Sequence, residues 1–274
     1  MGITASDFEY VCRVVRDGAA ISMETGKEYL VEMRMAGLAR RLKMGTATEV
    51  IEKLRSNSDP KIRGLVIEAM TTNETSFFRD SHPFEALRKL ILPELIKARS
   101  VDRRLSIWCA ACSSGQEPYS IAMIVRDHFP ELLNWQFKIL ATDLSEAILA
   151  QARSGRFSQF EVNRGLPAPL LVKHFRADGT EWVIQEPIRK MIDFQILNLI
   201  DPWPSMPPMD LVFIRNVMIY FPQETKKMIL GRISKVLRPT GYLFLGAAET
   251  TLNLDNSYER VPFDKTVCYR AGSV

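Results

Sequence analysis

The chain has 274 residues, 46% of them hydrophobic and 25% charged, with a formal net charge of +4. That length holds one large domain, or one medium and one small. The positive balance is too thin for a nucleic-acid-binding face. No apolar run reaches the roughly 18 residues of a membrane span, and no basic-then-apolar leader opens the chain.

Four cysteines, Cys12, Cys109, Cys112 and Cys268, make no disulfide scaffold. Met1 to Ser6 fits the myristoylation pattern, which is short and common. Cys109 and Cys112 have redox-pair spacing, but the helix start falls after the second thiol, so the first gains nothing from it. A zinc site needs two more ligands nearby, and none is present, so no metal is expected. Both read as small buried residues beside a ligand. Reduced thiols without an export signal favour the cytoplasm.

Residues 1–99 read as helical. Phe8, Val11, Cys12 and Val15 recur at helical spacing after a polar start at Thr4–Asp7. Thr25–Glu28 and Thr46–Glu49 match the capping box. Asp59-Pro60 supplies a cap and a first-turn proline, and Ile62, Leu65, Val66 and Ala69 follow on one face. The spacing predicts a helical domain over 1–80 and a connecting helix and linker over 81–103, interrupted at Pro93. On the second helix Lys27, Arg34 and Arg41 stand seven apart, about two turns, with Arg40 and Lys43 at its end. Long stems lying over the core explain such a sector. A dock for an acidic helix is the sharper alternative, and spacing alone favours the first.

Residues 70–84 run polar, then aromatic, then basic. Phe77 and Phe78 call for burial inside a segment that composition would leave at the surface. This is a linker with a hydrophobic anchor, or a loop pinned over a site.

From 104 the pattern alternates strand and helix, predicting a doubly wound α/β domain over 104–274. Leu105–Ala111 is an apolar strand. It breaks at Cys112-Ser-Ser-Gly-Gln116, and helical spacing restarts at Glu117-Pro118, with Pro118 suited to the first helical position. Gly115 and its small neighbours let a ligand approach the backbone. The site of such a domain lies at the carboxyl ends of the strands. Neither the dinucleotide fingerprint nor the P-loop pattern is present. Glu117 would repel a phosphate at the helix start but suit an ammonium or sulfonium, both of which S-adenosylmethionine carries. Capping its own helix is the plainer role.

Trp135–Thr142 is a second strand ending in Asp143, and Ser145–Arg153 a helix. Asp143 is placed to accept from ribose hydroxyls or to cap that helix. Residues 155–190 break the rhythm with glycines, prolines, the turn Asp178-Gly179 and strand-like Glu181–Gln185, predicting a small antiparallel insertion. Ile192–Leu197, Met209–Val217, Tyr242–Leu245 and Thr266–Arg270 are further strands, and Gln223–Leu237 a helix. Asn198, Asn216 and Tyr220 fall at strand ends, where a ligand would sit.

Three stretches together carry a resemblance: Thr72-Asn-Glu-Thr-Ser-Phe-Phe-Arg-Asp80, Ala111-Cys-Ser-Ser-Gly-Gln-Glu-Pro-Tyr-Ser120 and Arg215-Asn-Val-Met-Ile-Tyr-Phe221. They closely resemble the CheR family, the chemoreceptor glutamate methyltransferases of bacterial chemotaxis, over nearly the whole chain. The resemblance implies a Rossmann-like S-adenosylmethionine-dependent methyltransferase domain with a small β insertion, preceded by a helical domain. It implies methyl transfer to receptor glutamates, giving methyl esters. Asn73, Thr75 and Arg79 would touch the donor from the linker, Glu117 would hold its amino end, and Asp143 its ribose. Asn198 and Leu199 would border the adenine, with Arg215 and Asn216 at the neighbouring strand end. Arg79 and Tyr220 would flank the methyl group. The basic helix carrying Lys27, Arg34, Arg40 and Arg41 resembles the family's receptor-docking helix. In some members the small sheet grips a receptor tail peptide through a longer glycine-containing loop, where this chain has the compact Arg176–Thr180. The partners implied are cytoplasmic helices of membrane chemoreceptors, with no nucleic acid, no membrane insertion and a monomeric enzyme. A nucleic-acid methyltransferase would place an Asn/Asp-Pro-Pro-aromatic turn where this chain has Arg215-Asn-Val-Met.

Overall fold

The computed structural model describes residues 2–24, 26–56, 60–263 and 266–272. The chain groups into two compact units, residues 1–72 with 220–225, and residues 73–219 with 226–274. The sequence reading had carried the helical domain through residue 80.

The first unit holds α1 (Ala5–Ala19), α2 (Glu28–Arg41), α3 (Ala47–Ser56) and α4 (Pro60–Met70). A capping box starts α1: Thr4 Oγ1 accepts from the Asp7 amide at 3.2 Å, and the Asp7 carboxylate accepts from the Thr4 amide at 3.1 Å. Ahead of α3, Thr46 Oγ1 accepts from the Glu49 amide at 3.2 Å while Glu49 reaches back to the Gly45 amide at 2.9 Å. The caps expected at Thr25 and Asp59 lie outside the described residues. Val11, Val15, Val31, Met35, Leu38, Val50, Ile51, Leu54, Ile62 and Val66 are buried, three or four apart on each helix apart from the adjacent Val50 and Ile51, so each helix buries one stripe.

The second unit opens with the linker and α5 (His82–Ala86), a π-helical turn over Leu87–Ile91, and α6 (Leu92–Ala98). Pro93 does not interrupt the helical path as expected. The Leu92 amide bonds back to the Leu87 carbonyl, and this wider turn offsets the backbone that the proline ring would otherwise meet.

The α/β layer follows as β1 (Arg104–Ala110), α7 (Gln116–His128), β2 (Gln136–Asp143) and α8 (Glu146–Ser154). The insertion comprises β3 (Arg156–Ser158), α9 (Gln159–Asn163), α10 (Ala168–His174), β4 (Phe175–Asp178), β5 (Glu181–Ile184) and α11 (Glu186–Arg189). Then come β6 (Ile192–Ile196), β7 (Met209–Ile214), α12 (Gln223–Val236), β8 (Leu237–Leu245), β9 (Tyr258–Phe263) and β10 (Thr266–Ala271). Pro118 falls at the third position of α7 rather than the first; its missing N–H is still one of the helix's surplus donors.

The main sheet has seven strands among the described residues, in the order β6-β2-β1-β7-β8-β10-β9. Strands β6, β2, β1, β7 and β8 run parallel, and β10 is antiparallel to both its neighbours. The strand order reverses direction at β1, between β2 and β7, which opens the ligand crevice at the carboxyl ends of those strands. Every residue of β7 is buried, as a central parallel strand covered on both faces requires. Sequence reading missed β9, whose Glu259, Arg260 and Pro262 are exposed; it is an edge strand, where charge and proline are tolerated. The insertion forms a separate antiparallel sheet, β3-β5-β4.

The opposite, amino-terminal rim of the sheet is closed by Asp210. This carboxylate, 1% exposed, accepts from the Ser106 amide at 2.9 Å and from Arg99 Nε at 2.7 Å, with Arg238 Nε at 3.3 Å.

Candidate functional site

The turn after β1 is built from small residues because the backbone there is contorted. Ala111, Ser113 and Gly115 all have positive φ, at 55°, 51° and 92°. Two of these are not glycine, so the surroundings must over-determine the turn. The Cys112 amide donates to the Thr142 carbonyl at 2.9 Å, and the Ser113 amide to Asp143 Oδ2 at 2.8 Å. A Cβ on Gly115 would stand 3.1 Å from Ala152 and 3.2 Å from the Tyr119 ring, so glycine is required on both steric and conformational grounds.

Asp143 is therefore more than a helix cap. Its second oxygen accepts from the Ser145 amide at 3.0 Å, and Ser145, whose Oγ accepts from Ile148 N, is the residue that caps α8. The segment after β6 lies alongside: the Leu197 amide donates to the Asp143 carbonyl at 2.9 Å. Asn198 Oδ1 accepts from the Ile200 amide at 3.4 Å, and the carbonyl of buried Leu199 accepts from Trp203 Nε1 at 3.1 Å and Arg232 at 3.2 Å.

The linker 73–81 is a pinned loop. Phe77 is fully buried and meets Phe157 and Phe175 of the insertion edge-on at 5.0 and 5.7 Å. Phe78 packs on Phe84 at 5.3 Å, and its amide donates to Ser120 Oγ at 3.0 Å. Ser113 Oγ donates to the Asn73 carbonyl at 2.8 Å. Glu74 pairs with Arg164 at 2.7 Å, which holds its carboxyl below the usual range. Gly165 presses so close that a Cβ would stand 2.1 Å from the Phe77 carbonyl oxygen. Thr75 and Arg79 lie half-buried in this loop, and Arg79 Nη1 donates to the Glu74 carbonyl at 3.0 Å. Phe78, Asp80 and Ser81 have φ of 48°, 64° and 33°.

Arg215 leaves the end of β7 with its side chain 2% exposed. Nη1 donates to Glu117 Oε2 at 2.9 Å. Nη2 donates to Asp80 Oδ2 at 2.7 Å and to the Arg79 carbonyl at 2.9 Å. Its guanidinium lies 5.7 Å from the Phe84 ring centre. Burial pushes the Glu117 carboxyl above its usual range, and Arg215 and Arg79 partly offset that. Glu117 is the acidic residue in the first turn of α7; it makes no side-chain cap hydrogen bond, and its carboxylate, 13% exposed, pairs with Arg215. Asn216, with φ 59°, donates its amide to Glu249 Oε2 at 2.8 Å, and Glu249 also accepts from the Gly246 and Ile219 amides at 2.6 and 3.2 Å.

Asn73, Thr75, Arg79, Glu117, Asp143, Asn198, Leu199, Arg215 and Asn216 all belong to the second unit, on the linker and at the carboxyl ends of β1, β2, β6 and β7. Tyr220 groups with the first unit, where its carbonyl accepts from the Ser22 amide at 3.2 Å. Of the basic residues singled out on α2, Arg34 is engaged within that unit: it donates to the Met70 and Thr71 carbonyls, the latter at 2.9 Å, and to Thr72 Oγ1 at 3.1 Å. Lys27 and Arg41 pair with Glu24 and Glu68 at 3.0 and 3.3 Å, and Arg40 is exposed. Sequence reading missed Asp80 and Glu249. Asp80 closes the first quoted motif, directly after Arg79; nothing local marks Glu249.

Cys109 and Cys112 are free and buried, and burial pushes both thiols up, which leaves them protonated and poor nucleophiles. The lining suits a ligand with a cationic head and hydroxyls and no phosphate: carboxylates at Glu117 and Asp143 and a glycine turn that admits close approach. S-adenosylmethionine fits that set.

Residues 73–267 match the family described as "CheR methyltransferase, SAM binding domain". The chain is 41% identical to "Chemotaxis protein methyltransferase 1" of Pseudomonas aeruginosa, covering 99% of this chain and 100% of that one. It is 38% identical to "Chemotaxis protein methyltransferase Cher2" of Pseudomonas putida, covering 97% and 98%. It is 34% identical to "Chemotaxis protein methyltransferase" of Vibrio parahaemolyticus, covering 98% of each. With a donor-binding turn, a pinned linker and matches of this extent, the chain belongs to the CheR methyltransferase family.

Proposed function

We propose that the chain methylates glutamate side chains of bacterial chemoreceptors in the cytoplasm, using S-adenosylmethionine, and that it acts as a monomer. When bound, the donor supplies an electrophilic methyl on a cationic sulfur. The acceptor carboxylate has an ordinary pKa of about 4.3 and is ionised at neutral pH, so no general base is needed. What it needs is aim and a counter-charge, because an isolated carboxylate taken out of water tends to protonate. Placement can contribute on the order of 7–11 kcal/mol to such a reaction.

One observation carries the reading. Arg79 sits half-buried on a pinned loop between Phe78 and Asp80, both at positive φ, and the carbonyl of Arg79 is bonded to the same Arg215 guanidinium that holds Glu117. A cation on that loop is suited to draw an anionic side chain toward the donor. Asn73 and Thr75 contact the donor from the same loop, Glu117 holds its amino end, Asp143 its ribose, Asn198 and Leu199 its adenine, and Asn216 completes the neighbouring edge. Tyr220 shapes the path of the methyl. Lys27 at the N-cap of α2 and Arg40 and Arg41 in its last turn remain the candidates for docking an acidic receptor helix; Arg34 is better assigned to holding the end of α4. No helix of the described residues is long and apolar enough to cross a membrane.

The test is tritiated methyl transfer to receptor-containing membranes. The expected label is released by base as methanol. A base-stable label, or donor binding with no transfer, overturns the proposal.

A further inference from the structure

We propose that Arg215 is a positioning residue that ties the donor site to the acceptor-facing linker, one guanidinium holding Glu117 and the backbone of Arg79–Asp80 together. This rests on the methyl-transfer reading above and deepens it.

The geometry is that of a shared fork. One terminal nitrogen donates to Glu117 at 2.9 Å; the other donates to Asp80 at 2.7 Å and to the Arg79 carbonyl at 2.9 Å. A rigid planar fork can serve acceptors on two sides at once, which a lysine ammonium on a flexible stem cannot do at the same positions. The Arg215 side chain is 2% exposed, whereas Asp80 is 44% exposed. The buried partner is therefore the fixed one, and the linker is what it fixes.

The backbone explains why a tie is needed. Phe78, Asp80 and Ser81 all have positive φ without being glycine. Such conformations persist only where neighbours impose them. Phe77 and the Ser120 hydroxyl impose them as far as Phe78. At Arg79 and Asp80 the tie to the sheet is Arg215. The side chain of Arg79 leaves the backbone between these two anchors, so its direction depends on both.

The same guanidinium acts on the donor side. Glu117 is buried, and the charged groups facing it are Arg215, Arg79 and Glu249, with the thiols of Cys109 and Cys112 nearby. Arg215 is the leading influence that offsets the upward push of burial on this carboxyl.

Three variants of the full chain test the proposal: Asp80→Asn, Arg215→Lys and Arg215→Met. Asp80→Asn removes the charge and weakens the linker side, leaving the Arg79 carbonyl contact, and spares Glu117. Amide hydrogen exchange over residues 78–81, measured without ligand, should quicken by about tenfold, kcat should fall by about tenfold, and S-adenosylhomocysteine affinity should stay within about twofold. Arg215→Lys keeps the charge but not the fork; kcat should fall by about 100-fold while the donor KM moves by less than about fivefold. Arg215→Met removes the charge. The pH at which S-adenosylhomocysteine binding is half lost should move upward, and the lysine variant should restore it. Wild-type exchange and kcat in Asp80→Asn overturn the proposal, as does an Arg215→Met pH profile that superimposes on the wild type. The Asp80 site is exposed, so that variant folds and decides the matter if Arg215→Met does not. Exchange and affinity need no acceptor, so they test the tie even if receptor methylation fails as the activity.

Discussion

Glutamine in place of Glu117 changes one charge and almost no volume. The carboxylate accepts from Arg215 at 2.9 Å, with the two side chains 13% and 2% exposed, so solvent screens it little. Hydrogen bonds to a charged group contribute about 1.5–3 kcal/mol each. Losing the one to the donor's ammonium should weaken binding by about 10- to 150-fold. The pH dependence gives a second readout. Burial raises the Glu117 pKa above its ordinary 4.5, and the donor's cation needs the ionised form. Protons therefore compete with the donor at this raised carboxyl: wild-type affinity should fall as pH drops through its titration, and Glu117→Gln should show no such fall. In the empty protein the sign is opposite. A raised carboxyl contributes stability below its unfolded pKa, and that contribution is lost as pH rises through the folded value; the glutamine variant should lack this dependence. Calorimetric titration with S-adenosylhomocysteine from about pH 5 to about 8 measures the binding terms. Equal affinity at neutral pH, or parallel pH profiles, would refute the assignment.

Arg79→Ala should lower turnover by far more than it lowers donor affinity; steady-state kinetics beside calorimetry separates the two, and unchanged turnover counts against the acceptor role. Gly165→Ala places a Cβ 2.1 Å from a backbone oxygen at φ 84° and should cost about 3 kcal/mol in denaturant unfolding. Gly179→Ala, with φ 63° and nothing within 4 Å, should cost only about 1–2 kcal/mol; equal costs would show that the close approach at Gly165 is unimportant. Asp210→Asn removes one partner of a buried ion cluster and should cost about 3–5 kcal/mol in a thermal melt, leaving donor affinity untouched.

Much of this arrangement is written locally in the chain. The turn at 112–116 is legible because a strand, a run of small residues and a helical restart succeed one another within a few positions. Phe77 and Phe78 announce a pinned loop because two adjacent rings cannot both stay in water cheaply. The fork of Arg215 is not legible, since Glu117 lies 98 positions away and Asp80 135, and spacing rules act over a few turns. The partners of Arg34 are hidden for the same reason. Its period shows the helix sector it shares with Lys27 and Arg41, but its partners at the end of α4 lie 36 to 38 positions later. Strand β9 fails the pattern test because an edge strand has only half a ladder to satisfy. At Pro93 the proline rule is sound, but a π-helical turn satisfies it without breaking the helix.

The cluster around Asp210 and the ligand-facing turns sit at opposite rims of the same strands. Strand β1 spans seven residues, so about 20 Å separates the rims. Changes so far apart combine nearly independently. A lineage moving to warmer or colder surroundings can therefore retune its robustness from Arg99, Asp210 and Arg238 while its chemistry is left as it was.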